Sequence, residues 1–104
     1  MATFGTGIIF DSAVGSSSAG SYTVPAGYFM IFGGYRLTGA LAESVSISVN
    51  GANTRINGVL ATITNSATTE SVVTSSYIGP GGSVSLTIGG GTSATWWGVL
   101  FKNA

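Results

Sequence analysis

Residues Ser44–Asn50 read SVSISVN, and this stretch decides the fold class. Its three apolar side chains alternate with serines, so they point to one face of an extended strand while the hydroxyls point to the other. Ser83–Ile88, which reads SVSLTI, repeats the alternation. A period of two residues is typical of antiparallel strands that have one buried and one solvated face.

The segment from Val59 to Thr64 shows the same period. Val59, Ala61 and Ile63 form the predicted buried set, because they share one face of an extended chain. Leu60 lies on the opposite face and is predicted to point outward.

Short turn motifs separate these segments, and no stretch has the spacing of a helix. Asn50–Gly51 predicts a tight type I′ hairpin turn, after which the next strand resumes near Ala52. Gly89–Gly91 is interpreted as a hairpin loop and not as a phosphate-binding loop, because a strand follows it where that device needs a helix. About eight short strands with no crossover helix predict one all-β domain, an antiparallel β-sandwich spanning residues 1–104.

Two phrases of the sequence echo each other. Ser21–Gly27 reads SYTVPAG and Ser76–Gly82 reads SYIGPGG, each followed by a predicted strand. Two related strand–turn–strand units are what two Greek keys wrapped into a jelly roll require, although reuse of a favourable turn is the favoured explanation of the echo. The predicted sandwich is therefore jelly-roll-like.

The composition excludes several classes of function. Charged residues make up only 6% of the 104 positions, and three basic residues balance three acidic ones, so no field attracts nucleic acid. The chain has no histidine and no cysteine, and we expect no metal site, no cofactor and no histidine-based catalysis. Asp11, Glu43 and Glu70 are interpreted as separate surface carboxylates, and the protein is predicted not to be an enzyme.

The sequence also bears on membranes and localisation. No apolar run approaches the roughly 20 residues that a membrane-spanning helix requires, so membrane insertion is not expected. Met1–Gly5 lacks the basic segment and apolar core of a secretory signal, which predicts synthesis in a cytoplasm.

Trp96 and Trp97 are adjacent, so on a strand they face opposite sides. Trp97 shares its side with Val99 and Phe101, whereas Trp96 shares its side with the charged Lys102. This parity predicts Trp97 inside and Trp96 outside. An outward tryptophan either stacks on a sugar ring or anchors a contact with another subunit, and the second interpretation is favoured here.

The strand predicted from Tyr28 to Leu37 carries bulky apolar side chains on both faces, because Tyr28, Met30 and Phe32 alternate with Phe29 and Ile31. In a sandwich only one face meets the core, so the other face is expected to meet a neighbouring copy. A local loop covering that face is the alternative. The residues predicted to contact a partner or ligand are Trp96, Tyr28, Met30, Phe32 and Leu60.

Four segments resemble small jelly-roll proteins of tailed bacteriophage virions: Ser21–Ile31, the Asn50–Gly51 turn, the Pro80–Val84 turn and the closing Trp97–Lys102. The resemblance spans most of the chain, and similar phrases occur in tail-fibre tips, head decorations and bacterial adhesive domains. It transfers no catalytic residues.

The resemblance implies a virion structural protein, made in the host cytoplasm and located in the virion, commonly as a homotrimer. Its expected partners are copies of itself and the major capsid protein or another virion protein, as in a subunit that decorates or cements the capsid. The alternative is a host-recognition module at a tail tip or fibre, which binds a host-surface glycan.

Overall fold

The alternating segments form strands in the computed structural model, which describes residues 8–51 and 54–103. Two of the sequence predictions lie outside the described residues. They concern Ala52, where the strand after the predicted hairpin turn resumes, and Met1–Gly5, which lacks a secretory signal. The eight strands are β1 (Ile8–Ser16), β2 (Gly20–Thr23), β3 (Tyr28–Thr38), β4 (Ser44–Asn50), β5 (Gly58–Thr64), β6 (Thr69–Ile78), β7 (Ser83–Ile88) and β8 (Ser93–Asn103). The described part of the chain contains no helix that could cross a membrane.

The strands form two antiparallel sheets of four, in the orders β1-β8-β3-β6 and β2-β7-β4-β5. Strand β1 pairs with β8, β2 with β7, β3 with β6 and β4 with β5, as if one long hairpin had been rolled up. This order is the wrapping of a jelly roll, and it keeps consecutive strands in different sheets except for β4 and β5. The predicted all-β sandwich of eight strands is confirmed.

The core lies between the two sheets, and the alternation of the sequence supplies it. Val45, Ile47 and Val49 of β4 are fully buried, as are Val84 and, nearly so, Leu86 of β7. The serines between them lie on the outer, hydroxyl-rich face of the second sheet. The buried face that the sequence predicts for β4 and β7 is thus confirmed.

The two echoed turns meet at one end of the sandwich. The amide of Val24 donates a hydrogen bond to the carbonyl oxygen of Gly82 at 2.8 Å, and the amide of Gly81 donates to the carbonyl oxygen of Val24 at 2.9 Å. Val24 is fully buried between them. The turns that follow β2 and β6 therefore close the same end of the core.

Two predicted connections are wrong. The tight turn predicted at Asn50–Gly51 is replaced by a longer connection, since β4 runs through Asn50 and β5 begins only at Gly58. Between them the chain contacts the other sheet, where Thr54 forms a bridge with Ile78. There the amide of Arg55 also donates to the carbonyl oxygen of Tyr77 at 2.9 Å. The glycines of Gly89–Gly91 do not close a hairpin either, since they link β7 in one sheet to β8 in the other.

The predicted faces of β5 are partly wrong. Ala61 and Ile63 face the core, but Val59 is 68% exposed. The pairing of β4 with β5 shifts register at this point, because Ile47 is opposite Ala61 while Ser48 is opposite Val59. Leu60 is the extra residue of this bulge, and it is half-buried against the core where an outward position was predicted.

The assignment of the two tryptophans is also wrong. Trp96 is 2% exposed and lies in the core, whereas Trp97 is 37% exposed on the outer face. Met30 and Phe32 are fully buried, so neither they nor Trp96 present a surface to a partner. The expectation that β3 carries apolar side chains on both faces is confirmed, but its outward members are Phe29 and Ile31.

Replacing Trp96 with alanine is expected to lower the free energy of unfolding by about 3–5 kcal/mol, because it empties the site of the largest fully buried side chain. Chemical denaturation measures the change. The matched control is Val59→Ala on an exposed site, expected to cost less than about 0.5 kcal/mol. Equal losses in the two variants would contradict the buried position of Trp96.

Candidate interaction surface

A row of four aromatic side chains crosses the outer face of the first sheet, with one ring from each strand. Phe10 of β1 is opposite Phe101 of β8, and Phe101 is opposite Phe29 of β3. Tyr77 of β6 completes the row beside Phe29. Because directly opposed residues of antiparallel strands point to the same side, the pairing alone places these rings on one face.

The rings of this aromatic row pack against one another. Phe29 and Phe101 are stacked, with ring centroids 5.2 Å apart and an interplanar angle of 15°, and Phe29 and Tyr77 are stacked at 5.3 Å and 28°. Phe10 meets Phe101 edge to face at 6.2 Å. Since β3 lies between β8 and β6, both ring faces of Phe29 are occupied by neighbours. The middle of the row therefore presents ring edges to solvent.

The row continues into a larger uncharged surface. Ile31 is opposite Val99, and Gly34 is opposite Trp97 on one side and Val73 on the other. Phe10, Val73, Tyr77 and Trp97 are the exposed large side chains of this surface. We call the following residues the outer apolar face: Phe10, Phe29, Ile31, Val73, Tyr77, Trp97, Val99 and Phe101.

Trp97 rests on a bulge in β3. The register of β3 against β8 shifts between Phe32 and Gly34, which makes Gly33 an extra residue. A Cβ atom at Gly33 would lie 2.6 Å from Cδ1 of Trp97, and one at Gly34 would lie 2.9 Å from its Cζ2. The indole thus packs on a backbone that only glycine leaves bare, and Gly34 in addition has a φ of 138°.

The residues predicted to contact a partner do not form this surface. Tyr28 and Leu60 are half-buried and pack against the core from different sheets, Tyr28 from the first and Leu60 from the second. The missed residues carried a signal, because Phe29 alternates with Met30 and Phe101 with Leu100. The choice of face was wrong, whereas the presence of two apolar faces was predicted.

The three carboxylates lie apart. Asp11 is on β1 and Glu70 on β6, the opposite edges of the first sheet. Glu43 accepts a hydrogen bond from the amide of Gly90 at 3.0 Å and so fastens the β7–β8 connection. Within residues 8–51 and 54–103, no cluster of acidic side chains could hold a metal ion.

Glu70 interacts with the buried ring of Tyr35. The Tyr35 hydroxyl donates to Oε2 of Glu70 at 3.4 Å. Burial raises the pKa of this hydroxyl above its ordinary value, and the negative charge of Glu70 and the hydrogen bond to it raise the pKa further. The pair connects the edge strand β6 to the core.

A pocket of about 200 Å³ opens beside Trp96 where β1 leads into β2. Hydroxyl and backbone groups form most of its lining: Gly15, Ser16, Ser18, Ala19, Gly20, Ser21, Tyr22 and Trp96. Burial raises the pKa of the Tyr22 hydroxyl, with smaller contributions from Asp11 and Tyr28. The pocket is smaller than the roughly 300–1,000 Å³ of most small-molecule sites. A second depression, of about 420 Å³, is lined by Ala42, Glu43, Ser44, Thr64 and Asn65, but it is wide open to solvent and would not enclose a ligand. The outer apolar face is therefore the stronger candidate.

No protein-family model matches the sequence, and no curated protein is significantly similar to it. The likeness to phage virion proteins thus depends on the four quoted segments alone.

The raised pKa of Tyr35 predicts a loss of stability at alkaline pH. As the pH rises through the ordinary tyrosine pKa of about 10, the unfolded chain releases this proton before the folded protein does, so the free energy of unfolding falls. We expect a smaller alkaline fall in Tyr35→Phe. Urea midpoints measured from pH 7 to pH 11 check this, and an identical fall in both proteins would contradict it.

Proposed function

We propose that the protein is a non-enzymatic structural subunit that assembles with copies of itself, or onto a larger particle, through the outer apolar face. The observation that carries the proposal is the aromatic row, which crosses all four strands of the first sheet and contains no charge. The largest apolar patch of a soluble monomer covers about 300–600 Å² and is often functional, so a contiguous face of this kind is a candidate interaction site.

The low charge of the chain supports the same proposal. Soluble domains carry about 25% charged residues, whereas this chain carries 6% with no net charge. Such a surface offers little electrostatic protection against association. Covering Phe10, Tyr77 and Trp97 removes apolar area from water at about 25 cal/mol per Å², which favours assembly without any specific charge pair.

The resemblance of the sequence to jelly-roll virion proteins supplies a more specific form of the proposal. In that form the protein is a capsid decoration or cement subunit of a tailed phage, made in the host cytoplasm and incorporated into the virion. Its partners are two further copies in a homotrimer and the major capsid protein. Many copies on one shell would add avidity to a weak individual contact.

Phe10→Lys is expected to weaken self-association about tenfold or more, because it places a charge at the exposed end of the aromatic row. Sedimentation of the purified protein over a wide concentration range gives the mass and the dissociation constant. Its circular dichroism should stay unchanged, since Phe10 is 60% exposed.

The matched control is Leu41→Lys. Leu41 is 71% exposed but lies in the connection between β3 and β4, away from the outer apolar face. We expect this variant to associate like the original chain. A protein that remains monomeric at every concentration and binds no phage capsid would refute the proposal, as would equal effects of the two lysines.

A second candidate function, recognition of a host-surface glycan, is favoured by Trp97. The indole is supported by the backbone of Gly33 and Gly34 and remains partly exposed, as an aromatic platform for a sugar ring needs to be. The occupied ring faces of Phe29 disfavour sugar stacking in the middle of the aromatic row. Trp97 and Tyr77 are therefore the sugar-contacting residues under this alternative.

Screening the protein on a glycan array separates the two functions. Under the alternative, the original chain binds a defined glycan saturably, and Trp97→Ala reduces the affinity about tenfold by removing a stacking contact. Phe10→Lys serves as the control and should leave glycan binding intact. Absence of binding to any glycan removes this candidate.

A further inference from the structure

Strand β6 leaves one edge of the first sheet open. It is the last strand of the order β1-β8-β3-β6, and among the described residues its outward edge is covered only near Tyr77 and Ile78, by Arg55 and Thr54. Every residue of the segment Thr69–Val73 is exposed, although Val72 only to 37%. Unpaired backbone amides and carbonyls along such an edge fit one kind of partner, another extended strand.

The side chains of β6 do not block this edge. Edge strands are usually protected by lysine, proline or inward-pointing charges, and β6 has no lysine or proline. Its one charge, Glu70, points to the inner face opposite Leu37 and accepts the hydrogen bond of Tyr35, so it protects only the beginning of the strand. Val73, the last residue of the exposed segment, is 83% exposed. The strand thus presents a β-branched apolar side chain where a protective charge would be expected.

We infer that β6 pairs antiparallel with β6 of a second copy about a two-fold axis at Val73. In this register Val73 lies beside Val73 of the partner subunit, and Val72 lies beside Thr74 of the partner subunit. Glu70 lies beside Ser76 of the partner subunit, so the two carboxylates do not meet. The segment is therefore complementary to itself, as a two-fold contact requires.

The outer apolar face of one subunit is small for an interface. Four strands span about 19 Å, and the stretch from Trp97 to Phe101 gives the face a projected area of roughly 300 Å². A stable interface buries about 800 Å² on each partner. Pairing through β6 joins two outer apolar faces on the same side of one eight-stranded sheet, since Val73 belongs to both the edge and the face.

This inference rests on the proposed self-assembly but uses a different surface. The edge contact joins two subunits isologously, whereas a closed trimer repeats a heterologous contact. One subunit has room for both contacts, because the edge contact uses the backbone of β6 and shares only Val73 with the outer apolar face. The edge strands of the second sheet, β2 and β5, carry no charge, but the outer face of that sheet carries serine and threonine hydroxyls.

Cysteine cross-linking tests the edge contact directly, because the chain contains no cysteine of its own. Opposed residues of antiparallel strands have Cβ atoms about 4.5–5.5 Å apart, close to the separation a disulfide needs. Under mild oxidation, Val73→Cys is expected to form covalent dimers at least about tenfold faster than Val59→Cys, an exposed valine on the edge of the other sheet.

Cross-linking of Val73→Cys no faster than that of Val59→Cys overturns the inference. The test separates this result from failure of the proposed function. Dimers trapped through Val73→Cys, together with unaltered association of Phe10→Lys, support the edge contact and refute the role of the face. Weakened association of Phe10→Lys without such dimers supports the face and refutes the edge contact.

Discussion

The bulge at Gly33 and Gly34 is the constraint on which both faces of the first sheet depend. Met30 and Phe32 face the core before it, and Tyr35 and Leu37 face the core after it. Strict alternation from Phe32 would turn Tyr35 outward, so the extra residue restores the strand to its buried face. Without this step, β3 could not fill the core along its whole length.

The same bulge explains why the two adjacent tryptophans have opposite roles. Strand β8 keeps strict alternation, so Trp96 lies inside beside Tyr22 and Phe32, with ring centroids 5.6 Å and 6.3 Å away. Trp97 then lies outside, over the only part of β3 that has no side chains. The outer apolar face therefore follows from how the core is filled. Once the apolar side chains before and after the bulge are buried, the rings that alternate with them are left on the outer side.

The fold was predictable because local alternation is strong in β4 and β7, where each apolar residue has a serine or threonine beside it. The positions of bulges were not predictable, since a bulge is a relation between two strands and leaves only a weak mark in either one. Val59 illustrates this: its parity with Ala61 and Ile63 indicates burial, but the bulge at Leu60 turns it outward.

The presence of a second apolar face on the first sheet could be predicted from the sequence, but the residues that form it could not, because this again depends on relations between strands. The parity of β8 was misassigned because Gly98 and Lys102 resemble residues of a solvated face. In the structure Gly98 makes room for Met30, whose Sδ would be 3.0 Å from a Cβ there, and Lys102 lies exposed near the end of the strand. Whether a small residue or a terminal lysine lies on the inner face depends on its neighbours on the adjacent strands. The sequence of β8 alone does not specify these neighbours.

The charges and apolar side chains on the face and edges of the first sheet bear on the proposed self-assembly. Charged edges and a charged outer face would keep single subunits apart at little cost in fold stability, because neither changes the core. In this chain each edge strand of the first sheet carries one carboxylate, Asp11 on β1 and Glu70 on β6, while aromatic rings lie on the face and valines on the open edge of β6. In the proposed assembly each contact is small by itself, so the first sheet would bury most apolar area when face and edge are covered together.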